Sequence, residues 1–89
     1  MSRIDETYFV YIVECNDGTF YTGIAKDLES RVNKHNEGKG AKYTRSRIPV
    51  NLVYSETQES RSAALKREYE IKQWSRVEKL GLLKHKHIV

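Results

Sequence analysis

An apolar run near the N-terminus, closed by a tight-turn signal, constrains the fold of this chain more than any other feature. Residues 8–15 read YFVYIVEC, which is almost wholly β-branched, aromatic or apolar and is typical of a strand covered on both faces. Residues 16–18, Asn-Asp-Gly, tolerate the positive φ of a hairpin turn, and residues 19–24 read as the returning strand. Gly23 inside that strand indicates either a close backbone approach or a bulge. The sequence therefore predicts an antiparallel hairpin.

The rest of the chain carries helix and strand signals in turn. Asp27 and Ser60 are candidate N-caps of two helices, because their side chains can accept from free backbone amides. Gly38 is suited to end the first helix, and Gly81 is predicted to stop the last one. The predicted helices and the third strand occupy residues 28–36, 50–55, 61–73 and 75–80. This order, β-β-α-β-α-α, predicts an α+β fold with a small three-stranded antiparallel sheet flanked by helices. The chain of 89 residues is expected to form one domain, with a core over about 8–83.

Charge favours a polyanionic partner. The formal net charge is +4, and residues 38–47 read GKGAKYTRSR, with no acidic residue. A basic run with an interleaved aromatic ring is typical of nucleic-acid-binding segments, and a solvated basic loop is the alternative. The candidate nucleic-acid-binding residues are Lys39, Lys42, Tyr43, Arg45 and Arg47.

Several classes of protein are disfavoured. No apolar run is long enough to span a membrane, and the first six residues lack a secretory pattern. The single cysteine, Cys15, excludes an internal disulfide framework, favours a cytoplasmic setting, and is expected to be a small buried hydrophobe. His85 and His87 alternate with lysines, and we interpret them as a basic terminus because no further metal ligands accompany them.

Two tyrosines are candidates for chemistry on the predicted hairpin. Strand alternation puts Tyr11 on one side of the first strand, and Tyr21 shares a side with Gly23 on the second. A turn centred near Asp17 would make the two phenols near neighbours on one face of the sheet. The alternative is a pair of core tyrosines with a purely structural role.

The first predicted helix presents cationic groups on the same face as its apolar ones. Leu28, Arg31, Val32 and His35 are spaced by three and four residues and share that face. Arginine suits a phosphate because its rigid fork of donors matches the oxygens. The structural alternatives are a surface cation with a packed stem for Arg31 and a helix-terminal cation for His35.

The second long helix places a carboxylate in an inward stripe. Glu68 is predicted near the centre of a face that also carries Ala64, Leu65, Ile71 and Lys72. A carboxylate in such a place needs a cation, a hydrogen bond or an ion pair. A single carboxylate with waters and substrate oxygens is a common way to hold Mg²⁺, and an (i, i+4) pair with Lys72 is the alternative.

These residues in this order resemble the GIY-YIG nuclease domain over about residues 8–83. The resemblance is carried by VYIV, then YTG, then Lys26, Arg31 and His35, then Glu68 in a late helix. It is strongest to small standalone members and more distant to the N-terminal nuclease domain of UvrC. What it implies is a divalent-metal-dependent DNA endonuclease, using Mg²⁺ or Mn²⁺, that acts on branched or single-stranded DNA and that could work with a protein partner.

The resemblance also implies the residue roles. The candidate catalytic residues are Tyr11, Tyr21, Lys26, Arg31, His35 and Glu68, with Glu68 as the metal ligand. Either tyrosine could be the general base, and Lys26 or His35 could favour its phenolate. The other hypothesis is a non-catalytic nucleic-acid-binding module, or partner subunit, with the same fold.

Overall fold

The computed structural model describes the backbone of residues 7–87 and the side chains of residues 7–83. The predictions made on residues 1–6 and on the side chains of His85 and His87 lie outside that part. The described elements are β1 (Tyr8–Glu14), β2 (Phe20–Ala25), α1 (Leu28–Asn36), α2 (Lys42–Arg45), β3 (Asn51–Gln58), α3 (Arg61–Lys72) and α4 (Arg76–His87). Among these helices, none combines the length and apolar character needed to cross a membrane.

The sheet has three antiparallel strands in the order β2-β1-β3, so β1 is central. The predicted hairpin is confirmed. Its turn is closed by a bond from the Cys15 amide to the Thr19 carbonyl at 2.8 Å, and Gly18 takes the positive φ of 84°. The α+β class and the main element order are likewise confirmed.

Each face of β1 packs against its own cluster. Tyr11, Val13 and Cys15 belong to one cluster, which is completed from α1 and the segment before β3. Val10 and Ile12 belong to the other, which is completed mainly from α3 and α4. A fully buried side chain of this kind contributes roughly 1.5–3 kcal/mol relative to an exposed one. The strand is thus covered on both faces, as the run of apolar residues predicted, and Cys15 is a buried core residue.

The predicted helix boundaries are supported by capping bonds. The Asp27 carboxylate accepts from the Ser30 amide at 3.0 Å, and the Ser60 hydroxyl accepts from the Ala63 amide at 3.1 Å. Gly38 has a φ of 77°, and the Lys39 amide donates back into the last turn of α1. This glycine therefore ends α1 through its positive φ, as predicted.

Two predicted boundaries are wrong, and one short helix was not predicted. α4 continues through Gly81 to His87, because Leu82 and Leu83 pack on the second cluster and outweigh the roughly 1 kcal/mol cost of a helical glycine. β3 is longer than predicted, because its end pairs with Tyr8 of the central strand. The basic segment also contains the short helix α2, which no cap or periodicity indicated.

An ion pair ties β3 to α3. Arg67 donates from Nε and Nη2 to the two oxygens of Glu56, at 2.7 and 3.1 Å. Burial alone would raise the pKa of Glu56, but hydrogen bonds from Arg67, Tyr54 and Gln58 outweigh it and lower that pKa. The pair fixes the helix that carries Glu68 against the sheet.

Candidate active site

The two tyrosines lie on the same face of the hairpin. Tyr11 pairs with Gly23 across the β1–β2 ladder, and Tyr21 pairs with Val13. A β-carbon built on Gly23 would lie 2.6 Å from Tyr11 Oη, so the Tyr11 ring crosses directly over the β2 backbone. Glycine is required here for a close approach, one of the two interpretations that the sequence left open.

A buried hydrogen-bonded chain starts at the Tyr11 hydroxyl. Its oxygen lies 2.8 Å from His35 Nε2, and His35 Nδ1 lies 2.8 Å from Thr44 Oγ1. The Thr44 hydroxyl has one hydrogen and lies 3.0 Å from the Ala41 carbonyl; we assign that hydrogen to the carbonyl, so that Thr44 accepts from His35 Nδ1–H. Nε2 is then the unprotonated nitrogen of a neutral imidazole and accepts from the Tyr11 hydroxyl. This series of hydrogen bonds therefore specifies one tautomer of His35. In that tautomer the Tyr11 hydroxyl donates to the imidazole.

Both titratable members of this chain are neutral in the resting protein. Burial raises the pKa of Tyr11 to about 12, and the nearby Arg31 guanidinium offsets part of that rise. Burial lowers the pKa of His35, and the charge of Arg31 lowers it further. His35 is 1% exposed, so the alternative of a helix-terminal cation is wrong for this residue. Phenolate formation at Tyr11 requires added positive charge or a proton acceptor.

Arg31 lies between the tyrosine and the edge of the sheet. Its Nη1 donates to the Ile24 carbonyl at 3.0 Å, which anchors the guanidinium on β2. Its charge acts on both Tyr11 and His35, and the Glu68 carboxylate also acts on Tyr11. An arginine and an acid are thereby brought within electrostatic reach of the same phenol, although they come from different helices.

Glu68 reaches this region from the flank of α3. The prediction that it lies at the centre of an inward stripe is wrong: Leu65 is 39% exposed, and the buried line of the helix is Ala64 and Ile71. Glu68 Oε2 lies 3.2 Å from Lys72 Nζ, with side chains 18% and 44% exposed respectively. Such a partly exposed pair is an open ion pair and not a sealed one.

The donor set agrees with a single hard cation. In the described part of the chain, no three His, Cys, Asp or Glu side chains cluster as a closed metal site would require. Glu68 makes its one ion pair through Oε2, and its counter-ion Lys72 lies 5.5 Å from the Tyr21 ring. A single carboxylate that is partly exposed fits Mg²⁺, which keeps most of its waters, better than it fits Zn²⁺.

The two tyrosines, Arg31 and His35 open onto a cleft of about 360 Å³. Tyr11, although only 1% exposed, forms part of its wall. The cleft is lined by Tyr11, Tyr21, Arg31, Lys34, His35, Lys39, Gly40 and Ala41. Neither Lys26 nor Glu68 is among them. Lys26 Nζ lies 5.5 Å from the centre of the Tyr8 ring, beside a neighbouring cavity, and the Glu68 carboxylate is paired with Lys72.

The basic segment contributes to the cleft in part. Tyr43 stacks on Tyr21 with ring centres 6.0 Å apart and planes at 19°. Arg47 lies over Tyr43 at 4.0 Å and pairs with Asp17 at 3.0 Å. These contacts give Tyr43 and Arg47 a packing role behind Tyr21, and neither of them lines the cleft. Lys39 lines the cleft, and Lys42 and Arg45 are exposed nearby on α2.

Two residues of the site, Thr44 and Gly40, were not predicted from the sequence. Thr44 is fully buried and sets the His35 tautomer, and a β-carbon on Gly40 would collide with His35 Nδ1. Neither forms a periodic pattern with His35. The one sequence feature that could have indicated them is the GKG run at residues 38–40, followed by Thr44 in a polar segment. Such a run is equally typical of an open loop.

Comparison with known proteins agrees with this arrangement. Residues 7–80 match the family model described as the GIY-YIG catalytic domain. A UPF0213 protein of Staphylococcus aureus is 59% identical, over 91% of this chain and 99% of that protein.

Two similar proteins have solution NMR structures. A UPF0213 protein of Bacillus halodurans is 46% identical, with a TM-score of 0.59 over 90% of this chain and 85% of that one. A protein of E. faecalis is 39% identical, with a TM-score of 0.63 over 93% and 88%. The match spans most of each chain, so this protein belongs to the GIY-YIG family of nuclease domains.

Proposed function

We propose that this protein is a DNA endonuclease that hydrolyses phosphodiesters with Mg²⁺ or Mn²⁺, acting on branched or single-stranded DNA in the cytoplasm. The observation that carries the proposal is the directed bond from the Tyr11 hydroxyl to a neutral His35 at the wall of a cationic cleft. A phenol oriented towards a proton acceptor, beside an arginine, is suited to activating water next to a phosphate.

Tyr11 and His35 act together as the base. As water attacks phosphorus, Tyr11 Oη takes its proton and passes the phenolic proton to His35 Nε2. Thr44 accepts from Nδ1–H throughout, which keeps Nε2 available. The route avoids a free phenolate, which burial makes unfavourable at Tyr11. The bond to the 3′ oxygen breaks, and that oxygen takes its proton from water at the open side of the cleft.

The remaining groups bind and stabilise charge. Arg31, held by the Ile24 carbonyl, faces the negative charge that grows on the phosphate, and Lys34 and Lys39 bind the strand at the rim. When bound at Glu68, a divalent cation supplies the charge that stabilises the phosphoryl and leaving oxygens. Tyr21, stacked on Tyr43, positions the phosphate or the attacking water.

A second candidate function is favoured by one observation. Glu68 is paired with Lys72 while Tyr11 has a pKa of about 12, so the resting groups are not poised for catalysis. A nucleic-acid-binding module, or a partner subunit with this fold, would keep the cationic cleft without cutting.

Cleavage assays with matched variants distinguish the two functions. Labelled linear, forked and four-way DNA would be incubated with Mg²⁺, Mn²⁺ or EDTA. Tyr11→Phe and Glu68→Gln are compared with Tyr69→Phe and Glu70→Gln, which change exposed α3 residues outside the cleft. Metal-dependent cutting that is lost only in the first two variants supports the enzyme. Retarded DNA without cutting in every protein supports the binding module, and equal cutting by all four variants refutes the assigned site.

A further inference from the structure

We propose that a second basic cavity, adjoining the catalytic cleft, holds a flanking phosphate of the same DNA strand, with Arg61 as its outer ligand. The inference rests on the proposed function for the identity of the strand. It extends that function by naming a residue and a cavity to which neither the sequence pattern nor the proposed reaction assigns a role.

The cavity is cationic and is lined by residues from β1, β2, α1 and α3. It has a volume of about 530 Å³ and lies where the end of β2, the start of α1 and the start of α3 meet. Among the residues that the structure describes, four cations and a single acid, Asp27, line it. That carboxylate already accepts the Ser30 amide at 3.0 Å as the cap of α1. The four lining cations are Lys26, Arg31, Lys34 and Arg61.

The cavity adjoins the catalytic cleft. Arg31 and Lys34 line both, so they form the ridge between them. The bond from Arg31 Nη1 to the Ile24 carbonyl holds the guanidinium at this boundary. A strand that presents one phosphate to Tyr11 can therefore cross the ridge and place a neighbouring phosphate in the second cavity.

Acidic residues disfavour the other route that a DNA strand could take past α1. A third cavity is lined by three acids, Asp27, Glu29 and Glu37, against one cation, Lys34, so its lining is net negative and disfavours a phosphate. The favourable direction along the surface of α1 thus runs from the cleft over Arg31 towards Arg61.

Arg61 is free to bind a phosphate. Its side chain is exposed, and it forms no hydrogen bond or ion pair with the residues that the structure describes. Its guanidinium offers a rigid fork of donors that matches phosphate oxygens, whereas the neighbouring lysines offer point charges. Lys26 lines the same cavity with its Nζ 5.5 Å from the centre of the Tyr8 ring, so a phosphate held there has two cations from different elements available to it.

The test measures how DNA binding depends on salt. Fluorescence anisotropy of a labelled single-stranded oligonucleotide would be recorded in EDTA, where no cutting occurs, between about 50 and 200 mM salt. Each phosphate contact contributes roughly 0.7 to the slope of log K against log salt for a single strand. Arg61→Gln is expected to reduce the slope by about that amount, and Arg61→Lys is expected to retain it.

Lys66→Gln is the matched control, because it removes the same charge from an exposed position elsewhere on α3. An unchanged slope in Arg61→Gln, an equal reduction in both glutamine variants, or no binding by the wild type would overturn the inference. Cutting is scored separately. If Arg61→Gln changes the slope as expected but the protein never cuts DNA, the proposed reaction is refuted and the role of this cavity stands. If the protein cuts DNA but Arg61→Gln leaves the slope unchanged, the role of the cavity is refuted and the proposed reaction stands.

Discussion

Replacing Thr44 by valine would remove the group that sets the His35 tautomer while keeping the side chain's shape. Thr44 is 0% exposed, and its hydroxyl accepts from Nδ1–H at 2.8 Å and donates to the Ala41 carbonyl at 3.0 Å. In Thr44→Val the imidazole either keeps a buried, unsatisfied N–H or moves its proton to Nε2. The first outcome costs about 1–3 kcal/mol, and the second removes the acceptor of the Tyr11 proton.

The expected magnitudes follow from these two outcomes. We expect the free energy of unfolding to fall by about 1–3 kcal/mol in urea, since the Ala41 carbonyl keeps its bond from the Thr44 amide. We expect single-turnover cleavage to fall by roughly 10²-fold or more, the usual contribution of a positioned general base. Thr44→Ser keeps the hydroxyl and is expected to retain both the tautomer and most of the activity.

The tautomer itself can be read by long-range ¹H–¹⁵N NMR of His35, which gives a result even if no DNA is cut. Wild type and Thr44→Ser should show the proton on Nδ1. A Thr44→Val protein with the same tautomer, unchanged stability and unchanged cleavage would refute the directed chain, as would a serine variant as impaired as the valine variant.

Three further outcomes are expected. Gly40→Ala should lower the free energy of unfolding by about 1–3 kcal/mol, measured in urea, because its β-carbon would displace His35. Lys72→Met should strengthen Mn²⁺ binding to the free protein by about two- to fivefold, measured by paramagnetic line broadening, since the ammonium no longer competes for Glu68. Stability should fall as the pH drops below about 6.5 and again below about 4.5, measured by urea unfolding across pH, because His35 and Glu56 have lowered pKa values and the unfolded chain takes up their protons first.

Controls are available for each of these outcomes. Gly81→Ala, in the open interior of α4, should raise stability by about 1 kcal/mol, so equal losses in both alanine variants would contradict the collision at Gly40. Glu68→Gln should abolish the Mn²⁺ effect, and an unchanged affinity in Lys72→Met would show that the ammonium is not a competitor. A His35→Gln protein that keeps the same pH slope near 6.5 would contradict the assignment of that step.

Local features of the fold were predictable because each depends on a few neighbouring residues. The hairpin turn needs a residue that tolerates positive φ, and Gly18 supplies it. The caps at Asp27 and Ser60 act on amides three residues away. Alternation along β1 put Tyr11 on the face opposite Val10 and Ile12, and the two clusters agree.

Prediction failed where burial elsewhere in the fold decided the outcome. α4 runs through Gly81 because leucines beyond it reach the core. Glu68 lies at the flank of its helix because the buried line follows Ala64 and Ile71. Helix propensity and hydrophobic periodicity describe one element at a time. They therefore do not show which side of a helix the sheet covers.

The amino-acid sequence by itself determined the order of the strands and the longer helices, the two-sided burial of the central strand, and the residue types of a phosphate-directed site. Tertiary structure alone decided the connections among them. Tyr11 and His35 are 24 positions apart, and His35 and Thr44 are nine, so no local pattern encodes their hydrogen bonds. Their direction depends on a single buried hydroxyl whose donor is committed to a carbonyl. Each residue type has its own side-chain chemistry, which can be read from the sequence. The tautomer and the pKa of a buried group, however, depend on neighbours that only folding brings together.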